Sequence, residues 1–400
     1  MKKHDQISRR KFLRAFGASS STLLPSLAIP GFLQAATALP ASNQVLILVE
    51  LAGGNDGLNT VVPTDDDRYQ SLRPRIGLAK SETLALDQTT GLHPKMRGFA
   101  DLWEQGDLQI VEGVGYPSPN RSHFRSIEIW NAGTGAESFD NLGWVAGAFA
   151  KRPPVNMDAD GLVIGGEMGP LQGPGRYSAM RDLNRYNEAL GFVENEEHPV
   201  RANQSPLQHV LDTYESAYLT GSNILAKLEK SYEKDWSIPY SDLGQQLHSV
   251  ARLLDAGVTA PVMKVVQNGY DTHANQRGTH DYLLEELSLA LTSFSRVIQQ
   301  MGRWDDITIV TYSEFGRRAY ENGSAGTDHG TAAPVFVLGG AVNGGLSGSR
   351  PSLEALEDGD LKFTTDYRQV YAGLLADLWG MKSSSFTEQG FAGLKILRQT

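Results

Sequence analysis

Three times this chain repeats one construction: a short apolar run, rich in β-branched residues, that stops in a glycine-flanked loop bearing Asp, Glu or His. In the fullest instance Ile307-Thr308-Ile309-Val310-Thr311-Tyr312 leads into Ser313-Glu314-Phe315-Gly316-Arg317. Gly326-Thr327-Asp328-His329-Gly330 follows, and then a second run, Pro334–Leu338, that ends in Gly339-Gly340. Runs of this length and composition read as buried central strands. Ligands of open α/β sheets bind beyond the carboxyl ends of the strands. Glu314, Asp328 and His329 therefore fall where chemistry is done, and each can bind a metal or move a proton.

The other two instances lie upstream. Gln44–Leu51 reads as the first core strand and feeds Ala52-Gly53-Gly54-Asn55-Asp56-Gly57. Asp56 is a candidate ligand there, with Glu50 a second, although an Asn-Asp-Gly turn needs no chemistry to explain it. Ala260–Val266 is a further strand, delivering Gly269-Tyr270-Asp271-Thr272-His273. Asp271 and His273 are two residues apart, so in extended chain they point to one side and can share one ion.

Between these strands the pattern alternates. A helix over Met96, Phe99, Leu102 and Trp103 precedes a strand at Leu108–Val111. Strand, helix, strand at this spacing is a βαβ unit. The fold expected is α/β, a doubly wound and mostly parallel sheet with helices on both faces. After that strand Pro117 and Pro119 delay a helix until Ser122, and Gly133 stops it. A serine at that position ordinarily caps the helix. The alternative is a nucleophile facing the free N–H groups of the first turn, with Arg121 as a cationic clamp and His123 as a proton carrier. Further helices are expected near 142–150, 206–234, 240–256, from His280 through Ile298, and 367–378. Residues 64–90 read as an irregular excursion, 166–204 as an insertion or lid, and the last twenty residues as a loosely packed tail.

The N-terminus is of another kind. Residues 1–38 carry six Lys or Arg and one Asp, against a net charge of -10 for the whole chain. Ser8-Arg9-Arg10-Lys11-Phe12-Leu13 is a twin-arginine pattern, a weakly apolar stretch follows, and Ala36-Thr37-Ala38 offers a cleavage site. The stretch is interrupted by Ser19–Thr22, Pro25 and Pro30, so no stable membrane span is expected. A signal peptide at 1–38 and a single exported domain at 39–400 follow, with the twin-arginine machinery as a partner. The location would be periplasmic or extracellular, and a metal could be inserted before export of the folded protein. The acidic remainder argues against nucleic acid. The absence of cysteine removes disulfides, thiolate ligands and thiol nucleophiles.

Mixed carboxylate and imidazole candidates suit one or two divalent ions, Zn²⁺, Mn²⁺ or Ca²⁺. Neither a Gly-x-Ser-x-Gly elbow nor a Walker loop is present. Leu51–Gly57, Asn120–Phe124, Gly269–His273, Ser313–Arg317 and Gly326–Gly330 together identify the chain as a member of the family catalogued as domain of unknown function 1501. That family is similar, more remotely, to the alkaline phosphatase and sulfatase superfamily. The resemblance implies an alkaline phosphatase-like fold, a metal site drawn from Asp56, Asp271, His273, Glu314 and His329, and Ser122 as nucleophile. Two departures stand out: Glu314-Phe315 replaces the superfamily's Asp-His pair, and the Ser-x-Pro-x-Arg motif is absent after Ser122. The expected function is hydrolysis of a phosphate or sulfate ester, carried by a small molecule or a glycan. The rival is an envelope binding or assembly protein that keeps the fold without the chemistry.

Overall fold

Alternation along the first strand sets the architecture. β1 (Val45–Ala52) sends Val45, Ile47, Val49 and Leu51 into one core, and Leu46 and Leu48 into another. A strand apolar on both faces must be covered on both. The computed structural model describes residues 39, 43–180, 220–232, 234–382 and 384–398, and places β1 within a nine-stranded sheet. The other strands are β2 (Leu108–Gly115), β3 (Gly161–Ile164), β4 (Tyr177–Met180), β5 (Val262–Asn268) and β6 (Ile307–Tyr312). β7 (Ala333–Leu338), β8 (Gly345–Gly348) and β9 (Thr365–Asp366) complete it. Their order in space is β8-β2-β7-β6-β1-β5-β3-β4, with β9 also beside β2.

Helices α1 (Arg97–Gln105), α4 (Asp242–Asp255) and α5 (Gln276–Gln300) pack on the face that receives Ile47. Helices α2 (His123–Ala132), α3 (Trp144–Lys151) and α6 (Tyr367–Trp379) pack on the face that receives Leu46. The expected doubly wound sheet is thus present. Within this sheet every strand pair is parallel except those of β7, which runs antiparallel to both β2 and β6. This reversal matters for the site. Since β7 runs back beside β6, the segment joining them stays at one end of the sheet, and His329 arrives where Glu314 leaves.

Three expectations are corrected. Residues 177–180, assigned to a lid, form the edge strand β4, paired in parallel with β3. The helix expected to reach residue 234 is wound only to residue 228 in its described part. The tail is packed: Phe386 and Ile396 are buried against α6, and Asp377 accepts the backbone N–H groups of Ile396 and Leu397. Residues 1–38 and 181–219, which include the expected signal and much of the expected lid, lie outside the described residues.

Candidate functional site

The loops leaving β1, β5 and β6 meet at the carboxyl end of the sheet. Their close approach depends on Gly53, whose φ of +120° is open to glycine and whose missing Cβ would overlap the backbone N of Asp271. Glu314, buried at the end of β6, accepts the backbone N–H groups of Gly53 and Gly54 at 2.9–3.2 Å. Arg317 locks the same loops from within. Its guanidinium donates to the carbonyls of Gly53, Gly54, Tyr270 and Thr327 and, at 2.7 Å, to Asp271 Oδ1. A planar fork with five N–H donors suits this multiple role where a lysine would not.

Around Asp271 Oδ1 stand three imidazoles. His273 Nε2 lies 3.0 Å away, His329 Nε2 3.2 Å and His123 Nε2 3.4 Å. Each ring is fixed from its far side. His123 Nδ1 is 2.7 Å from Glu314, His273 Nδ1 is 3.2 Å from Asp328, and His329 Nδ1 is 2.8 Å from the carbonyl of Arg121. A carboxylate or carbonyl only accepts, so each Nδ1 donates, which in a neutral ring leaves the lone pair on Nε2, the atom turned toward the others. The Nε2 atoms of His273 and His329 are 2.9 Å apart, and Nε2 of His123 is buried without a hydrogen-bond partner. Lone pairs that converge on a carboxylate need a cation among them. Ligand atoms ~2.0–2.1 Å from a tetrahedral ion lie about 3.3 Å from one another, close to the spacing here. Among the described residues, His123, Asp271 and His329 form a group able to hold a metal, and His273 adjoins it. Phe315, buried, supports two of the rings, with centroids 4.8 Å from His123 and 4.7 Å from His329.

Electrostatics agree with this arrangement. Burial would raise the pKa of Asp271, but the hydrogen bond and the charge of Arg317 outweigh it and hold the carboxyl at about 2. Asp328 is also lowered, chiefly by a hydrogen bond from Asn322.

The remaining expected residues fall elsewhere. Asp56, expected as a ligand, is fully buried and turned away; its Oδ2 pairs with Arg73 at 2.6 Å and accepts from Gln276. Burial works against its ionised form, yet the Arg73 charge prevails and its pKa is lowered. Arg73 comes from the 64–90 excursion, whose polarity hid a fully buried cation. Glu314 and Asp328 orient His123 and His273 rather than joining the group of converging atoms. His123, expected as a proton carrier, belongs to that group. Arg121, expected as a clamp, has its guanidinium on buried Asp360 and its carbonyl on His329. Ser122 occupies the N-cap position of α2, but its hydroxyl makes no capping hydrogen bond and the residue is exposed. Glu50 lies within β1 and pairs with buried Lys264 of β5 at 2.6 Å. Arg317, Arg73 and Gln276 were missed as site residues. Buried arginine is rare, and only the Gly316-Arg317 motif hinted at one of the three.

Fold and site together define a doubly wound α/β protein with an imidazole–carboxylate centre at its strand ends. The model of the family described as protein of unknown function (DUF1501) matches residues 170–384, and the chain belongs to that family. No curated protein matches the sequence. Solved structures similar to the chain include a member of the alkaline phosphatase superfamily and an alkaline phosphatase. A superfamily protein from Vibrio parahaemolyticus is 10% identical, covering 88% of this chain and 71% of its own, with a TM-score of 0.41. Alkaline phosphatase from the Antarctic bacterium TAB5 is 9% identical, covering 75% and 92%, with a TM-score of 0.31. Ps i-CgsB in complex with k-i-k-neocarrahexaose is 11% identical, covering 88% and 74%, with a TM-score of 0.41.

Proposed function

We propose that the protein is an exported, metal-dependent hydrolase of phosphate or sulfate esters with Ser122 as its nucleophile. The observation that carries this reading is the convergence of three Nε2 lone pairs on Asp271 Oδ1 beside the start of α2. His123, Asp271, His273 and His329 would hold one divalent ion; the imidazole-rich set favours Zn²⁺ or Mn²⁺ over Ca²⁺. When bound, the ion supplies Lewis acidity toward an ester oxyanion. Glu314, Asp328 and the Arg121 carbonyl keep the three rings in the ligating tautomer.

The uncapped Ser122 hydroxyl stands at a helix start whose first-turn N–H groups favour an anion. Ser122 Oγ bonds to phosphorus or sulfur as the bond to the alcohol oxygen breaks; the serine proton passes to solvent and the departing alkoxide takes one up. Water then bonds to phosphorus or sulfur and gives up a proton, the bond to Ser122 Oγ breaks as Oγ takes a proton up, and phosphate or sulfate leaves.

Metal analysis of the purified protein, with turnover of aryl phosphate and aryl sulfate, tests the reading. Near-stoichiometric metal is expected, together with hydrolysis of one of the esters. Ser122→Gly should keep both stability and metal, since glycine caps nearly as well as serine, and should lose turnover. A Gly variant that still hydrolyses the ester removes Ser122 from the chemistry. A folded parent without metal or turnover favours a binding protein that keeps only the fold.

A further inference from the structure

Behind the ligating rings lies a second polar cluster that the proposed chemistry does not use. Gln276, the first residue of α5, is fully buried. Its Nε2 donates to Asp56 Oδ2, and its Oε1 accepts from the hydroxyls of Thr272 at 3.0 Å and Thr327 at 2.6 Å. Its backbone N–H donates to the carbonyl of Ala325. Thr272 stands between Asp271 and His273, and Thr327 immediately precedes Asp328-His329. Asp56 is held in turn by Arg73, whose Nε and Nη2 donate to the carbonyls of Ala319 and Arg318. One side-chain amide therefore joins the loops from β1 and β5 to the segment between β6 and β7. No other neutral side chain of this length both donates to a carboxylate and accepts from two hydroxyls. Glutamate would set a second carboxylate against Asp56, and methionine would take the acceptor from the buried hydroxyls of Thr272 and Thr327.

We infer that Gln276 is a positioning residue for the metal centre, fixing the distance between the Asp271–His273 pair and His329 through Thr272 and Thr327. The inference rests on the metal-binding reading of the site. Asp56, with Arg73 as its counterion, belongs to the brace and carries no metal.

The test compares the full-length parent with Gln276→Met, Thr327→Val and Thr327→Ser. Each is titrated with Zn²⁺ against a competing chelator, and with Co²⁺ while its visible absorption is recorded. Changes behind a metal's ligands typically cost 10–100-fold in affinity. Gln276→Met and Thr327→Val should weaken Zn²⁺ by about tenfold or more and alter the Co²⁺ spectrum, which reports ligand geometry. Thr327→Ser, which keeps the hydroxyl, should restore both. If Gln276→Met does not fold, the Thr327 pair decides, since valine and threonine are nearly equal in size. Parental affinity and spectrum in Thr327→Val, whatever its stability, would overturn the inference. A parent that binds neither ion overturns the metal reading itself, a different result from a parent that binds while its variants are unchanged.

Discussion

Two arginines without exposed side-chain surface, Arg73 and Arg317, give the site's aspartates opposite fates. Arg73 pairs with Asp56 in the interior, whereas Arg317 holds Asp271 ionised and leaves it open to solvent. His280 shows a third outcome. Buried, with Nε2 on Asn55, it is pushed down to about 3 by burial, which outweighs the opposing charge of Asp56. An unfolded chain takes up this proton near 6.5. Between about 6.5 and 3 the unfolded state therefore binds more protons, and the protein should lose stability as pH falls through that window. Urea midpoints measured from pH 7 to pH 4 should decline, and His280→Gln should flatten the decline; an equally steep fall in that variant would assign it to other groups. Residues that could bear chemistry were legible in the sequence, since Asp271, His273, Glu314, Asp328 and His329 do come together. Their roles were not. An Asp in an Asn-Asp-Gly turn looks the same whether it meets an ion or an arginine seventeen positions on, and no local pattern reveals which nitrogen of an imidazole is free.

At the scale of elements, periodicity was a good guide wherever one face of a helix or both faces of a strand are covered. β6 spans the expected residues, α2 begins after Ser122 and ends at Gly133, and α6 begins at Tyr367 behind the cap at Asp366. What periodicity could not supply was direction. The run Pro334–Leu338 is equally apolar in a parallel or an antiparallel neighbour, so the reversal of β7 was invisible. The C-terminal segment misled for a related reason: it has no regular period, yet it seats single side chains in the core. Ile396 has no exposed surface. Ile396→Ala should accordingly cost about 2–5 kcal/mol, measured by urea unfolding. A change within ~0.5 kcal/mol, typical of surface sites, would mean that the tail is not seated as described.

For the whole molecule, the sheet separates two large cores, and neither could form alone, because β1 contributes to both; a smaller third cluster gathers around Tyr69 and Leu361. Among the described residues no helix is long and apolar enough to cross a membrane. Export is proposed on the N-terminal motif, and there the pair is read as arginine rather than as charge. Changing Arg9 and Arg10 together to lysine should retain the protein in the cytoplasm, as cell fractionation would show; unchanged export would remove the twin-arginine assignment. The antiparallel β7 has a consequence for synthesis. All three strands that border β2, namely β7, β8 and β9, come from the last part of the chain. β2 leaves the ribosome roughly 200 residues before its first partner, an interval on the order of 10–40 s at about 5–20 residues per second. Throughout that time an eight-residue strand, buried along its whole length in the finished protein, has both edges open. The nascent chain thus carries an open strand while the residues between β2 and β7 are made, and His123, carried just beyond β2, reaches His329 only after them.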